Sequence, residues 1–200
     1  MTVQTGDGAA TPAHQTPVVL PQLDWVPTQA CESRDGEDVV RVVCHRWGVA
    51  YVSEREEAAS YQGVQNYFSD PSHDASAHVV FPGSAVPGRA AQMVAWDQAA
   101  WAEAAYNRSS DDIESADAIW LGHDPQGLEV LARIVAMRLH VRKLPAVWSA
   151  ERGFCRHADL GQAGGGHLSC PTTDLTVWHQ FVALVEHEHA RGGFRKEWGR

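Results

Sequence analysis

A chain of 200 residues, 44% of them hydrophobic, can bury a core of its own and points to one globular domain with tails. Its formal net charge of −9 provides no basic footprint, which argues against nucleic acid or an anionic membrane surface as partners. Four widely spread cysteines (Cys31, Cys44, Cys155, Cys170) form no CxxC pair, which argues against a zinc ribbon or a small disulfide scaffold. Eleven histidines suggest instead that some imidazoles serve metal or proton chemistry.

Residues 1–22 are rich in Thr, Gly, Ala, Pro and Gln, with no basic start followed by an apolar block. They read as a flexible arm, not a secretory signal. No apolar run approaches the ~20 residues that cross a bilayer, so a soluble protein is expected. Residues 39–44 form a β-branched run ending at His45 and Gly48, the pattern of a buried strand that stops at a turn, where a side chain can face a cleft. The S-x-x-E start at Ser53 opens a capped helix to Phe68. Residues 76–81 (SAHVVF) predict a second strand, 82–88 a turn and 89–96 a third strand.

Residues 126–141 place Leu128, Leu131, Ile134, Val135 and Leu139 on one stripe, the strongest amphipathic helix of the sequence. Residues 152–173 are Gly-rich and polar without sustained periodicity, which predicts a loop, yet they concentrate His157, Asp159, His167 and Cys170. Helical spacing returns over 175–188 through Val177, Trp178, Phe181, Leu184 and Val185, and residues 190–200 read as a tail. Strands and helices mixed without regular βαβ alternation predict an α/β or α+β domain over 23–189, with a mixed sheet flanked by helices.

A hydrolytic zinc site needs three protein ligands, usually imidazole, thiolate or carboxylate, and one open position for water. A strand-end His45 with His157 and Cys170 from one loop supplies such a set, and the glycines between the loop pair let the chain fold back. By chemistry alone, exposed loop histidines and a half-buried cysteine remain the other reading. Cys44 adjoins His45 but on a strand points to the opposite face, into the core.

The segments VVCHRWG and CRHADLGQAGGGHLSCPTTD resemble the first ligand strand and the last loop of the amidase-2 family, the zinc N-acetylmuramoyl-L-alanine amidases related to peptidoglycan recognition proteins. Between them, YQGVQNYFSDPSHDASAHVVF is similar to the helix, loop and strand of mycobacteriophage and actinophage endolysins. The likeness spans about residues 39–181. It implies the fold of that family and a Zn²⁺ ion held by His45, His157 and Cys170, with Asp174 as the competing carboxylate. It implies Glu114, in NRSSDDIE, as the acid–base residue, unless Glu114 is a solvated carboxylate in an acidic stretch; Asp111 and Asp112 are then expected not to face the metal.

The family often has a lysine two residues before the third ligand; Leu168 stands there, and His167 is the nearest group able to serve the oxyanion. A WHAG-like segment of the family is WAEA here, at 101–104, without the histidine, and Ala77 replaces a tyrosine. His78 is expected to line the cleft or to be a hydrogen-bonded structural residue, and Trp47 to stack on a sugar ring or simply to pack. The implied partner is bacterial peptidoglycan, cut at the amide between N-acetylmuramic acid and L-alanine by a monomeric enzyme made in the host cytoplasm and acting on the wall after release. The alternatives are a module that binds muropeptide without cutting it and a structural zinc domain, which would need a fourth protein ligand.

Overall fold

The computed structural model describes residues 19–48, 51–194 and 198–199. Among the described residues eight strands are formed: β1 (Gln22–Trp25), β2 (Cys31–Ser33), β3 (Arg41–Arg46), β4 (Val79–Phe81), β5 (Arg89–Gln92), β6 (Gln98–Ala100), β7 (Ser110–Ser115) and β8 (Gly153–Arg156). The helices are α1 (Glu54–Ser69), α2 (Asp117–Trp120), α3 (Pro125–Arg142) and α4 (Leu175–Arg191). Six strands make one mixed sheet in the order β1-β5-β4-β7-β3-β8, parallel except between β4 and β5, while β2 and β6 pair separately. Among the described residues no helix is long and apolar enough to cross a membrane.

The alternation of side chains along each strand divides the sheet into two faces. Val42, Cys44, Val79, Phe81, Ile113 and Phe154 point to one face and meet α3 and α4, forming the main core with Leu131, Ile134, Val135, Trp178 and Phe181. Cys44 is therefore core, as its place beside His45 on an extended strand requires. On the opposite face Val80 and Ala91 pack against Tyr61 and Phe68 of α1, and Val43, Cys155 and Leu160 form a smaller cluster.

The Ser53 capping signal acts as expected, and α3 has a cap that the sequence expectations did not include. Ser53 accepts a hydrogen bond from the Glu56 N–H at the start of α1, and Asp124 accepts one from the Gly127 N–H at the start of α3, which has Pro125 in its first turn. Helix α3 buries more than one stripe, because the sheet covers one side and α4 another; Arg133 and Arg138 are buried along with its aliphatic residues.

Three sequence expectations change. The strand expected over 76–81 is paired only from Val79, and that over 89–96 ends at Gln92. The loop expected over 152–173 begins with a sheet strand, β8, which docks beside β3 because Phe154 and Cys155 alternate into the two cores. Strand β7 has no apolar signature, yet lies at the sheet centre with all six residues buried. Trp198, in the C-terminal tail, is docked by donating its Nε1–H to the Pro21 carbonyl at 2.8 Å.

Candidate metal centre

Strand register places three candidate side chains. In the parallel pair β3–β7, His45 lies opposite Glu114 and Val43 opposite Asp112, so His45, Asp112 and Glu114 all point to the face away from α3. His157 follows β8 directly and opens a 3-10 segment, His157–Gly164. Beyond it the chain must reverse within a few residues. Gly161, Gly165 and Gly166 do this with φ of 60°, 98° and 80°, conformations that side-chain-bearing residues rarely adopt. The reversal lets the Ala158 N–H donate to the Cys170 carbonyl at 2.8 Å, which sets Cys170 beside His157.

The three ligands expected from the sequence thus converge: one ligand atom each from His45, His157 and Cys170 lies within 4.8 Å of the others. The two imidazole centroids are 4.6 Å apart. His157 Nε2–H donates to the Gly164 carbonyl at 2.6 Å, leaving Nδ1 with its lone pair free. Two imidazoles and a thiol at this spread suit one zinc ion, with its bonds of about 2.0–2.3 Å, and leave a fourth position without a protein ligand from this set. Asp174 is not part of the group: it is exposed and caps α4 by accepting from the Thr176 N–H at 2.8 Å.

The electrostatics are those of a buried, crowded site. Burial and the neighbouring His45 push His157 down to about 4. Burial alone would favour neutral His45, but Asp112 and Cys170 outweigh it and hold its pKa well above the usual histidine value. Glu114 is raised to about 7 by burial, with His45 opposing and Asp117 and Asp112 adding to the rise, and its Oε1 has no hydrogen-bond partner. It borders a groove of about 510 Å³ shared with Arg46, Trp47, Val64, Tyr67 and Phe68. Trp47 is half-buried there, donating its Nε1–H to Glu57 at 2.7 Å, so it both packs and lines the groove. His167 is exposed, its ring 4.7 Å from that of His157, and lines a second opening of about 520 Å³ with Trp101, Asn107 and Asp74. Leu168 is 60% exposed and offers no polar group there.

His78 does not line a cleft. It is fully buried, accepts the Asp112 N–H at Nδ1 (3.0 Å), faces the Gln98 carbonyl through Nε2 (3.0 Å) and stacks on Trp96. It occupies the hydrogen-bonded structural role. Asp111 and Asp112 are not solvated neighbours of Glu114 either. Both are fully buried, and while Asp111 faces α3, Asp112 lies 3.2 Å from His78 Nδ1 and 3.7 Å from His45 Nε2.

One site residue went unrecognised in the sequence. Glu103 is fully buried, with Oε1 at 3.0 Å from His45 Nε2, and with His45 and Asp112 it forms a second close group of ligand-type atoms. Only its position in the WAEA departure from the WHAG-like pattern marked that stretch as unusual.

No family model and no curated protein matches this chain. Solved structures do resemble it. The Staphylococcus aureus hydrolase AmiA, in complex with its ligand, superposes with a TM-score of 0.63 at 13% identity over 86% of this chain and 84% of that one. A mutant endolysin from Bacillus subtilis gives 0.55 at 14% identity, covering 83% and 99%. The N-acetylmuramoyl-L-alanine amidase LysC from Clostridium intestinale gives 0.53 at 12%, covering 82% and 96%. At such identities the likeness is one of fold: this chain has the single-domain mixed α/β architecture that a hydrolase, an endolysin and an N-acetylmuramoyl-L-alanine amidase share.

Proposed function

We propose that this protein is a zinc-dependent N-acetylmuramoyl-L-alanine amidase of the endolysin type, cutting the amide between N-acetylmuramic acid and L-alanine in bacterial peptidoglycan. The observation that carries this reading is the convergence of His45, His157 and Cys170 from distant parts of the chain, with Glu114 on the adjacent strand. The fold shared with an endolysin and with an amidase of that activity supports it.

His45, His157 and Cys170 would hold a zinc ion, which would supply Lewis acidity: a water pKa brought toward ~7 and a polarised scissile carbonyl. Glu114, partly desolvated and bordering the groove, accepts the proton of the attacking water and returns it to the leaving amine nitrogen. His167 donates a hydrogen bond to the developing oxyanion. Trp47 offers its ring to a sugar along the 510 Å³ groove. The enzyme acts on the wall as a monomer after release from the cell that makes it.

Elemental analysis tests the ligand set. Wild-type protein retains one zinc per chain after dialysis against a mild chelator, and His157→Ala loses it; full zinc in that variant refutes the assignment. Cys170→Ser loses hydrolysis of purified sacculi, because a hydroxyl is a poor zinc ligand, while retaining muropeptide binding. Muropeptide binding by the wild type with no release of L-alanine amino groups would make the protein a recognition module instead.

A further inference from the structure

A metal-binding imidazole presents one nitrogen to the ion, and its other nitrogen, as N–H, is held by an acceptor that fixes tautomer and ring plane. For His157 that acceptor is the Gly164 carbonyl. For His45 it is a side chain. Glu103 Oε1 lies 3.0 Å from Nε2, whereas Asp112 at 3.7 Å is beyond hydrogen-bond range.

The local structure is costly unless this contact matters. Glu103 is a fully buried carboxylate whose Oε2 has no hydrogen-bond partner, and such a group carries a desolvation penalty. The next residue, Ala104, has φ +50°, a left-handed conformation unfavourable for a residue with a Cβ. Asn107 Oδ1 accepts the N–H groups of both Ala102 and Glu103, at 3.1 and 2.8 Å, pinning the turn. Backbone strain, side-chain burial and a dedicated cap all hold the carboxylate against one partner, His45.

We propose that Glu103 is the positioning residue of the metal centre: it accepts the Nε2–H of His45, so that His45 binds the metal through Nδ1 in a fixed orientation. The inference rests on the zinc reading above and adds a residue that does not itself touch metal or substrate. It also separates the two buried carboxylates beside His45, since of the two only Glu103 lies within hydrogen-bond reach of Nε2.

The experiment is a zinc titration of the full chain against a chromophoric chelator, for wild type, Glu103→Ala, Glu103→Gln and His157→Ala, with long-range ¹⁵N–¹H spectra of the zinc-loaded wild type. Removing a partner of this kind costs about 10–100-fold in metal affinity. Glu103→Ala is expected to fall by that factor, and Glu103→Gln by less, because its amide oxygen still accepts Nε2–H. The spectra show His45 protonated at Nε2 and metal-bound at Nδ1. A metal-bound Nε2 overturns the proposal. So does a folded Glu103→Ala protein with wild-type affinity in which His157→Ala has lost zinc, a result that leaves the zinc amidase reading standing. Two zinc ions per chain, the second lost in Glu103→Ala, would put a metal where the proposal puts a proton and also overturn it. If wild type binds no zinc, both readings fall together. Should Glu103→Ala not fold by circular dichroism, the wild-type tautomer and the isosteric Gln variant decide.

Discussion

Glu114 carries the acid–base chemistry of the proposed reaction, and its surroundings set how it responds to pH. A general base must be ionised, so the rate falls as pH drops through its pKa. Burial raises that value to about 7, and a dication beside it lowers it, which puts the acidic limb of the pH–rate profile at or below pH 7. Glu114→Gln is expected to cut turnover by roughly 10²–10⁴-fold and to abolish that limb, with zinc content unchanged. Near-normal turnover with an unaltered profile would remove Glu114 from the mechanism. The control is an exposed carboxylate such as Glu186 on α4. Asp112, which the sequence offers as a bystander, is unsuitable, because it is buried against His78 and near His45. That His45, His157 and Cys170 belong together was legible from residue type and motif. The burial of Asp112 and His78 was not, since nothing in SAHVVF or SDDIES states what lies opposite.

Strand β7 explains why one element escaped the hydropathy pattern. A central parallel strand ordinarily reads as an apolar run, whereas SDDIES has two adjacent aspartates and a glutamate. Charges supplied from elsewhere make it possible. Arg34, from the segment after β2, and Arg138 and Arg142, from α3, all bind the Asp111 carboxylate at 2.7–2.9 Å. Arg138 and Arg142, with His78, hold it well below the ordinary aspartate range despite its burial. Asp111→Ala leaves the buried Arg34 and Arg138 without this counter-charge, and breaking such a buried pair costs about 3–5 kcal/mol. Urea denaturation should show a loss of that size, and a loss below about 1 kcal/mol would mean that water reaches the arginines. Helices α1, α3 and α4, by contrast, were legible, because periodicity and caps are local properties. Their ends fall within a few residues of expectation.

At the scale of the whole molecule, the proposed zinc ion joins the inner strand β3, through His45, to the loop that follows the neighbouring edge strand β8, through His157 and Cys170. An ion that binds only the folded chain stabilises it by about 2.7 kcal/mol at a hundred times its dissociation constant. For a chain of this size that corresponds to a rise in Tm of about 5–10 °C. Calorimetry should record this shift on adding zinc to wild type and none for His157→Ala; equal melting with and without zinc in the wild type would count against a folded-state site. The sequence by itself determined the helices, the strand that bears His45, the Gly-rich return and the residue types of the proposed metal set, because these depend on local periodicity, backbone freedom and donor chemistry. Only the tertiary structure decided that Glu103 meets His45, that His78 is sealed in the interior and that an acidic strand occupies the sheet centre. Those outcomes follow from strand register and from charges that cancel across 27 to 77 residues of chain, which no local pattern records.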